Sequence, residues 1–272
     1  MKTSIFSTSL TLLKLREAVH VAADAGYDAM EVGCFAPHLT LGMARDHGDE
    51  ICTWFEDADM SVSALSLDVS YTDGDKRSWN ANVDESLEFI RLCGAFGTDV
   101  AKIMPGRPGN VHATEEHWAR FQRAMDTIVP VAEAAGVRLA LETHLNHLSD
   151  SIDSAARCME SGPREVLGIN LDFCNIRTCG EDPLDALELF GDRLYLTHIK
   201  DSLFDLPSGR YVPMGTGRMK YGPIIAGLRE LGYEGSLSVE CLYPWAKKND
   251  PGAAIAHDLD VLQQLLEEGT TR

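Results

Sequence analysis

Short runs of β-branched or apolar residues alternate with longer stretches whose apolar positions recur at helical spacing, from one end of the chain to the other. The short runs fall at 3–7, 29–33, 61–67, 99–104, 137–142, 166–171, 194–199 and 236–241, which predicts eight strands. Between them, amphipathic segments at 12–25, 84–96, 115–135, 152–160, 183–190, 221–231 and 254–268 predict helices. Four of the helical patterns close on a glycine before the next strand, at Gly26, Gly97, Gly136 and Gly232. Glycine accepts the left-handed conformation that stops a helix.

Strict alternation of strand and helix implies parallel strands joined by right-handed crossovers. A doubly wound open sheet shares that pattern, but no GxGxxG follows the first strand, and eight even repeats suit closure. The 272 residues match the roughly 250 that a (β/α)₈ barrel takes. The expectation is one barrel domain over residues 1–272. Its longest irregular segment, 200–220, follows strand seven, where barrels place substrate-covering loops.

Composition narrows the function. Hydrophobic residues make up 44%, ample for a large core. The 42 acidic against 24 basic residues leave a formal charge of −18, which repels phosphate backbones and anionic membranes. Nucleic acid and membrane are therefore not expected partners. The N-terminal apolar run is short and soon interrupted by Lys14, Arg16 and Glu17, so it reads as strand and helix of a cytoplasmic protein. The seven cysteines are scattered without a CxxC pair, as for reduced thiols, not disulfides or a zinc-thiolate site.

The last four predicted strands each end in an ionisable residue: Glu142, Asp172, His198 and Glu240. In such barrels the functional residues stand at the C-terminal strand ends. One such residue means little, because barrel mouths are polar. Four on consecutive strands converge on one point, where three carboxylates and an imidazole repel one another unless a cation lies between them. Oxygen-rich ligation with a single histidine favours one divalent ion, Mn²⁺ or Mg²⁺, with Co²⁺ also suited.

The segments LALETH (139–144), LGINLDFCN (167–175), LTHIKD (196–201) and GYEGSLSVE (232–240) resemble the xylose-isomerase-like TIM-barrel superfamily, in particular its sugar (phosphate) isomerase/epimerase branch. MEVG at 30–33 and MGTGRMKYGPIIAGLRELGY at 214–233 extend the likeness over nearly the whole chain. The resemblance implies a catalytic metal held by Glu142, Asp172, His198 and Glu240. Glu142 and Glu240 would also serve as acid and base on opposite faces of a substrate, through an enediolate. Two positions depart from the pattern: Asn175 stands where many relatives carry histidine, and Phe204 where several epimerases carry arginine. These departures weaken the case for ketose epimerisation, so elimination by a metal-dependent lyase or dehydratase on a keto-sugar, keto-glycoside or keto-polyol stays open, as does a subunit role in a heteromeric enzyme. The DNA-repair nucleases of the superfamily need extra histidine ligands and a basic surface, and neither is present.

Substrate-binding candidates are His144, on the face of Glu142; Lys102, inside strand four; Lys200, on the face of His198; Glu31 on strand two; and Asn175. Phe35, Trp79 and Trp245 are candidates for the pocket wall, with core or surface packing the alternative. His147 and Arg218 read more simply as loop residues, and Cys174 as packing. The substrate is expected to be a small sugar- or polyol-derived molecule, and the protein a homo-oligomer.

Overall fold

A computed structural model describes residues 1–205, 209–244 and 250–268. Eight parallel strands close into a barrel: β1 (Lys2–Phe6), β2 (Ala29–Gly33), β3 (Ser61–Ser66), β4 (Val100–Ile103), β5 (Arg138–Glu142), β6 (Leu167–Asp172), β7 (Leu194–Ile199) and β10 (Ser236–Val239). Closure is made by β1, which pairs with both β2 and β10. The fold is therefore the (β/α)₈ barrel and not the open sheet. A two-stranded antiparallel ribbon, β8 (Asp201–Ser202) with β9 (Tyr211–Val212), lies inside the segment expected to be irregular.

Around the barrel run α1 (Leu15–Ala25), α2 (Leu41–Asp57), α3 (Lys76–Leu92), α4 (Glu115–Ala135), α5 (Ile152–Met159), α6 (Phe173–Thr178), α7 (Pro183–Phe190), α8 (Tyr221–Glu230) and α9 (Pro251–Glu268). The glycines at 26, 97, 136 and 232 take φ of 98°, 71°, 66° and 67°, as helix stops require. In α4 the buried positions Phe121, Ala124, Met125, Ile128 and Ala132 recur every three or four residues, which turns one stripe onto the sheet.

Two helical features escape the hydrophobic pattern. α2 buries only Ala44, Ile51 and Phe55 and breaks helical geometry at His47, so its apolar period is weak. α3 starts at Lys76, eight residues before the expected 84, because Asp75 caps it: its carboxylate accepts the Ser78 backbone N–H at 2.8 Å. Capping sets that boundary ahead of the first apolar residue of the helix, Trp79.

Inside the barrel, Ala64, Val100, Ala140 and Leu196 form a small apolar cluster separate from the main helix-on-sheet core. Each stands two residues before Ser66, Lys102, Glu142 or His198 on its own strand. Strand side chains repeat every second residue, so this cluster plugs the barrel directly beneath those polar groups. Among the described residues no helix is long and apolar enough to cross a membrane.

Candidate metal centre and active site

The strand register brings the polar ends together. Asp172 is the register partner of His198, and His198 that of Ser238; Glu142 pairs with Asn170. Ligand atoms of Glu142, Asp172 and His198 all lie within 4.8 Å of one another. Glu240 follows β10 directly and puts Oε2 3.6 Å from His198 Nδ1. All four side chains are buried.

His198 is fixed from behind. Its Nε2 lies 2.9 Å from Glu31 Oε2 and 3.1 Å from the Asn170 amide, and its ring stacks on Phe6 at 5.4 Å between centroids. Glu31, fully buried, is itself held by the hydroxyls of Ser66 and Ser238. The carboxylate thus orients the imidazole and leaves Nδ1 facing the other acids. Nδ1 is buried without a hydrogen-bond partner, 3.3 Å from Glu142 Oε1 and 3.8 Å from Asp172 Oδ2.

Asp172 ends β6 and caps α6, its Oδ1 accepting the Asn175 N–H at 2.9 Å. The Asn175 amide donates to Asp172 Oδ2 at 2.8 Å and to the Thr143 carbonyl at 3.1 Å. Asn175 therefore ties the ligand carboxylate to the β5 exit. Two lysines complete the cluster: Lys102 Nζ meets Glu142 Oε2 at 2.8 Å, and Lys200 Nζ bridges Asp172 Oδ2, at 2.5 Å, to Glu240.

The charges govern one another. Burial raises the Glu142 carboxyl, but the Lys102 ammonium and His198 outweigh it and hold the group well below the usual range. Burial likewise opposes charge on Lys102 and Lys200, and is overcome by Glu142 and Glu31 for the first and by Asp172 and Glu240 for the second. Burial would discharge His198, yet Glu31, Glu240 and Glu142 raise it well above its ordinary value.

These residues suit a divalent cation. Four buried carboxylates, Glu31, Glu142, Asp172 and Glu240, face only two buried ammonium groups, Lys102 and Lys200. A neutral imidazole and a divalent ion would balance the remaining two negative charges, and the orphaned Nδ1 offers that ion a nitrogen. Three carboxylates and one imidazole form a donor set for a hard or borderline metal.

Above the cluster opens a cavity of about 630 Å³, within the usual range for small-molecule sites. Glu142, Glu240, Lys102 and His144 line it, together with His147 and Phe35. His144 and His147 pack edge to face at 4.7 Å between ring centroids. Burial, with the neighbouring His144, lowers His147 to about 3, so its ring is neutral near pH 7. Lys200, Glu31 and Asn175 do not line the cavity; Lys200 touches its wall at Glu240, whereas Glu31 and Asn175 hold His198 and Asp172 behind that wall. Trp79 donates to the Tyr71 carbonyl at 2.9 Å and packs in the core, Cys174 is buried, and Arg218 borders a separate surface cleft. Trp245 lies outside the described residues.

Sequence reasoning missed Phe6, Asn170 and Ser238, whose neutral side chains give no signal on a strand. It also missed Asp201, which follows β7: its carboxylate accepts the N–H groups of Ser202, Gly215, Gly217 and Met219, pinning the loop that follows the β8–β9 ribbon.

Among curated proteins, the chain is 22% identical over 258 residues to 3-dehydroshikimate dehydratase of Bacillus anthracis, covering 87% of this chain and 90% of that one. It is 25% identical over 293 residues to fructoselysine 3-epimerase of Escherichia coli O157:H7, covering 98% and 99%. The solved structure of the IOLI protein with a binding zinc atom superposes with a TM-score of 0.83 at 20% identity, covering 100% of both chains. Residues 19–265 match the xylose isomerase-like TIM barrel family, and the chain belongs to that family.

Proposed function

We propose that this protein is a divalent-metal-dependent sugar isomerase or epimerase that abstracts a proton beside the carbonyl of its substrate. One observation carries the reading: of the four clustered residues, only Glu142 and Glu240 line the cavity, while Asp172 and His198 lie behind them. Two carboxylates open to one substrate space are the arrangement that acid–base work on two faces requires.

Glu142, Asp172, His198 and Glu240 would hold the ion, Mn²⁺ or Mg²⁺ with Co²⁺ also compatible, and bound there it would supply Lewis acidity toward the carbonyl and the developing enediolate charge. One carboxylate takes the proton from carbon as the electron pair moves onto the carbonyl oxygen. The opposite group, entering the turnover as the carboxylic acid, then returns its proton at the same carbon with inversion, and the two groups exchange protonation states; return at the neighbouring carbon, with the hydroxyl proton passing to the former carbonyl oxygen, gives the isomer. Lys102 holds Glu142 at Oε2 and turns Oε1 toward His198 Nδ1, which fixes the carboxylate beside the cavity. Lys200 fixes Glu240 against Asp172 and so sets its approach to the substrate.

A second reading, elimination by a lyase or dehydratase, has its own support. Both N–H groups of the Asn175 amide are engaged, with Asp172 and Thr143, so the position where many relatives carry histidine has no donor free for a ketose. His144 lines the cavity and would protonate a departing hydroxyl after the same proton abstraction. Likeness to a 3-dehydroshikimate dehydratase points the same way.

The test is turnover in D₂O by metal-loaded protein with ketoses and keto-polyols, before and after chelation. Deuterium in recovered or isomeric sugar, lost on chelation and restored by Mn²⁺, Mg²⁺ or Co²⁺, is the expected result. Loss of water from the substrate would select the lyase. Metal-independent exchange would overturn both.

A further inference from the structure

The charged groups of the cavity lining are not equally satisfied. Lys102 is paired with Glu142, and Glu240 with Lys200. Arg107, in the PGRPG loop that follows β4, lines the same cavity and has no ion-pair partner among the described residues. A guanidinium is charged at every working pH and presents a planar fork of donors matched to an oxyanion.

The loop holding Arg107 is tied on both sides. On the β3 side, the Thr72 hydroxyl donates to the Arg107 carbonyl, and the Tyr71 N–H to the Pro105 carbonyl at 3.3 Å. On the β5 side, Leu148 N–H donates to the Gly106 carbonyl at 3.0 Å. Asp150 accepts both the backbone and side-chain N–H of Asn110, at 3.1 and 2.9 Å. Gly109 lets the Asp150 carboxylate pack against the loop, where a Cβ would push it aside. Backbone fixed this way limits the entropy lost when the side chain grips a ligand. The remaining lining acid, Asp68, is exposed and makes no ion pair with Arg107 among the described residues.

From this juxtaposition of a free guanidinium on a braced loop with the Glu142–Glu240 pair in one cavity, we infer that the substrate carries an anionic group, carboxylate or phosphate, bound by Arg107 away from the reacting carbon. This rests on the reading of the cavity as the substrate site. It makes Arg107 a specificity-determining residue, selecting acidic sugars, cyclic keto-acids or sugar phosphates over neutral ketoses.

Metal-loaded protein would be titrated calorimetrically with two matched pairs: shikimate against its methyl ester, and fructose 6-phosphate against fructose. The charged member of one pair should bind at least about tenfold more tightly than its neutral partner, and which pair does so distinguishes carboxylate from phosphate. Arg107→Gln should abolish that preference and Arg107→Lys should restore part of it, with circular dichroism and Mn²⁺ affinity unchanged. Asp68→Asn should keep or increase it. Equal or absent binding of both members in both pairs, or a preference that survives Arg107→Gln, overturns the inference. So does a preference seen only after Asp68→Asn, which would mean that Arg107 merely offsets Asp68. Deuterium exchange into neutral ketoses without charge preference would sink the anion site alone. Arg107-dependent anion binding without exchange on any substrate would sink the proposed reaction alone.

Discussion

Strands β5, β6, β7 and β10 bring Glu142, Asp172, His198 and Glu240 to the barrel mouth, whereas β1 to β4 contribute Phe6, Glu31, Ser66 and Lys102. The first set supplies every candidate metal ligand. The second set supplies what steadies them: a ring under His198, a carboxylate on its Nε2, a hydroxyl on that carboxylate, and an ammonium on Glu142. The loops beyond β3 and β4 then bring Asp68 and Arg107 to the cavity. In the proposed reaction one half of the barrel would carry the proton chemistry, and the other would set its geometry and face the remainder of the substrate. Buried charge requires partners: Glu142 and His198 find theirs on the other half, in Lys102 and Glu31, while Asp172 and Glu240 share Lys200 on their own half.

The largest test of the comparison is on the reacting half. Glu142→Gln or Glu240→Gln should lower turnover by about 10²–10⁴-fold, the usual worth of a positioned acid or base, while both proteins stay folded by circular dichroism. Full activity in both would remove the two-carboxylate mechanism.

On the steadying half, Glu31→Gln should weaken metal binding by about 10- to 100-fold, although Glu31 is not itself one of the proposed ligands. Competition between the protein and a chelator for Mn²⁺ measures this. Unaltered affinity would mean that the Glu31–His198 contact is packing alone.

Outside both halves, Asp201→Asn keeps one oxygen acceptor and loses the other, freeing either Gly215 and Gly217 or Ser202 and Met219. A cost of about 1–3 kcal/mol is expected from the orphaned donors. It should show as faster proteolysis of the loop after β7 and a higher KM, with kcat less affected.

The smallest effect concerns His147, which burial lowers to about 3. Its folded pKa lies below its unfolded one, so its neutral ring stabilises the fold above about pH 6.5, and that contribution fades as pH falls toward 3. Between pH 7 and pH 5 the native protein should lose about 1–2 kcal/mol more than His147→Gln, read from urea midpoints at both pH values. Parallel losses would show that His147 is solvated.

How far the sequence can be read follows from the same physics. All eight barrel strands are visible because strands buried on both faces need runs dominated by apolar, β-branched and small residues, with a charge admitted only where it is paired. α2 is hidden, because a helix burying three residues around a break leaves no stripe to count. Glu142, Asp172, His198 and Glu240 are conspicuous as charges that close such runs. Glu31 is visible as a buried acid, but its partner is His198 across the barrel, a contact that joins residues 167 positions apart. Arg107 reads in the chain as an ordinary loop cation; what distinguishes it is its place in the cavity with no ion-pair partner among the described residues.

The sequence by itself determined the strand order, the helices with a full apolar stripe, the barrel and the identity of the four strand-end groups, since periodicity and the cost of burying charge are local signals. Tertiary structure alone decided which lysine satisfies which acid, which nitrogen of His198 is left free, and which carboxylates open to the cavity. Those depend on register across a closed sheet and on charges paired through space, and no spacing along the chain encodes either one.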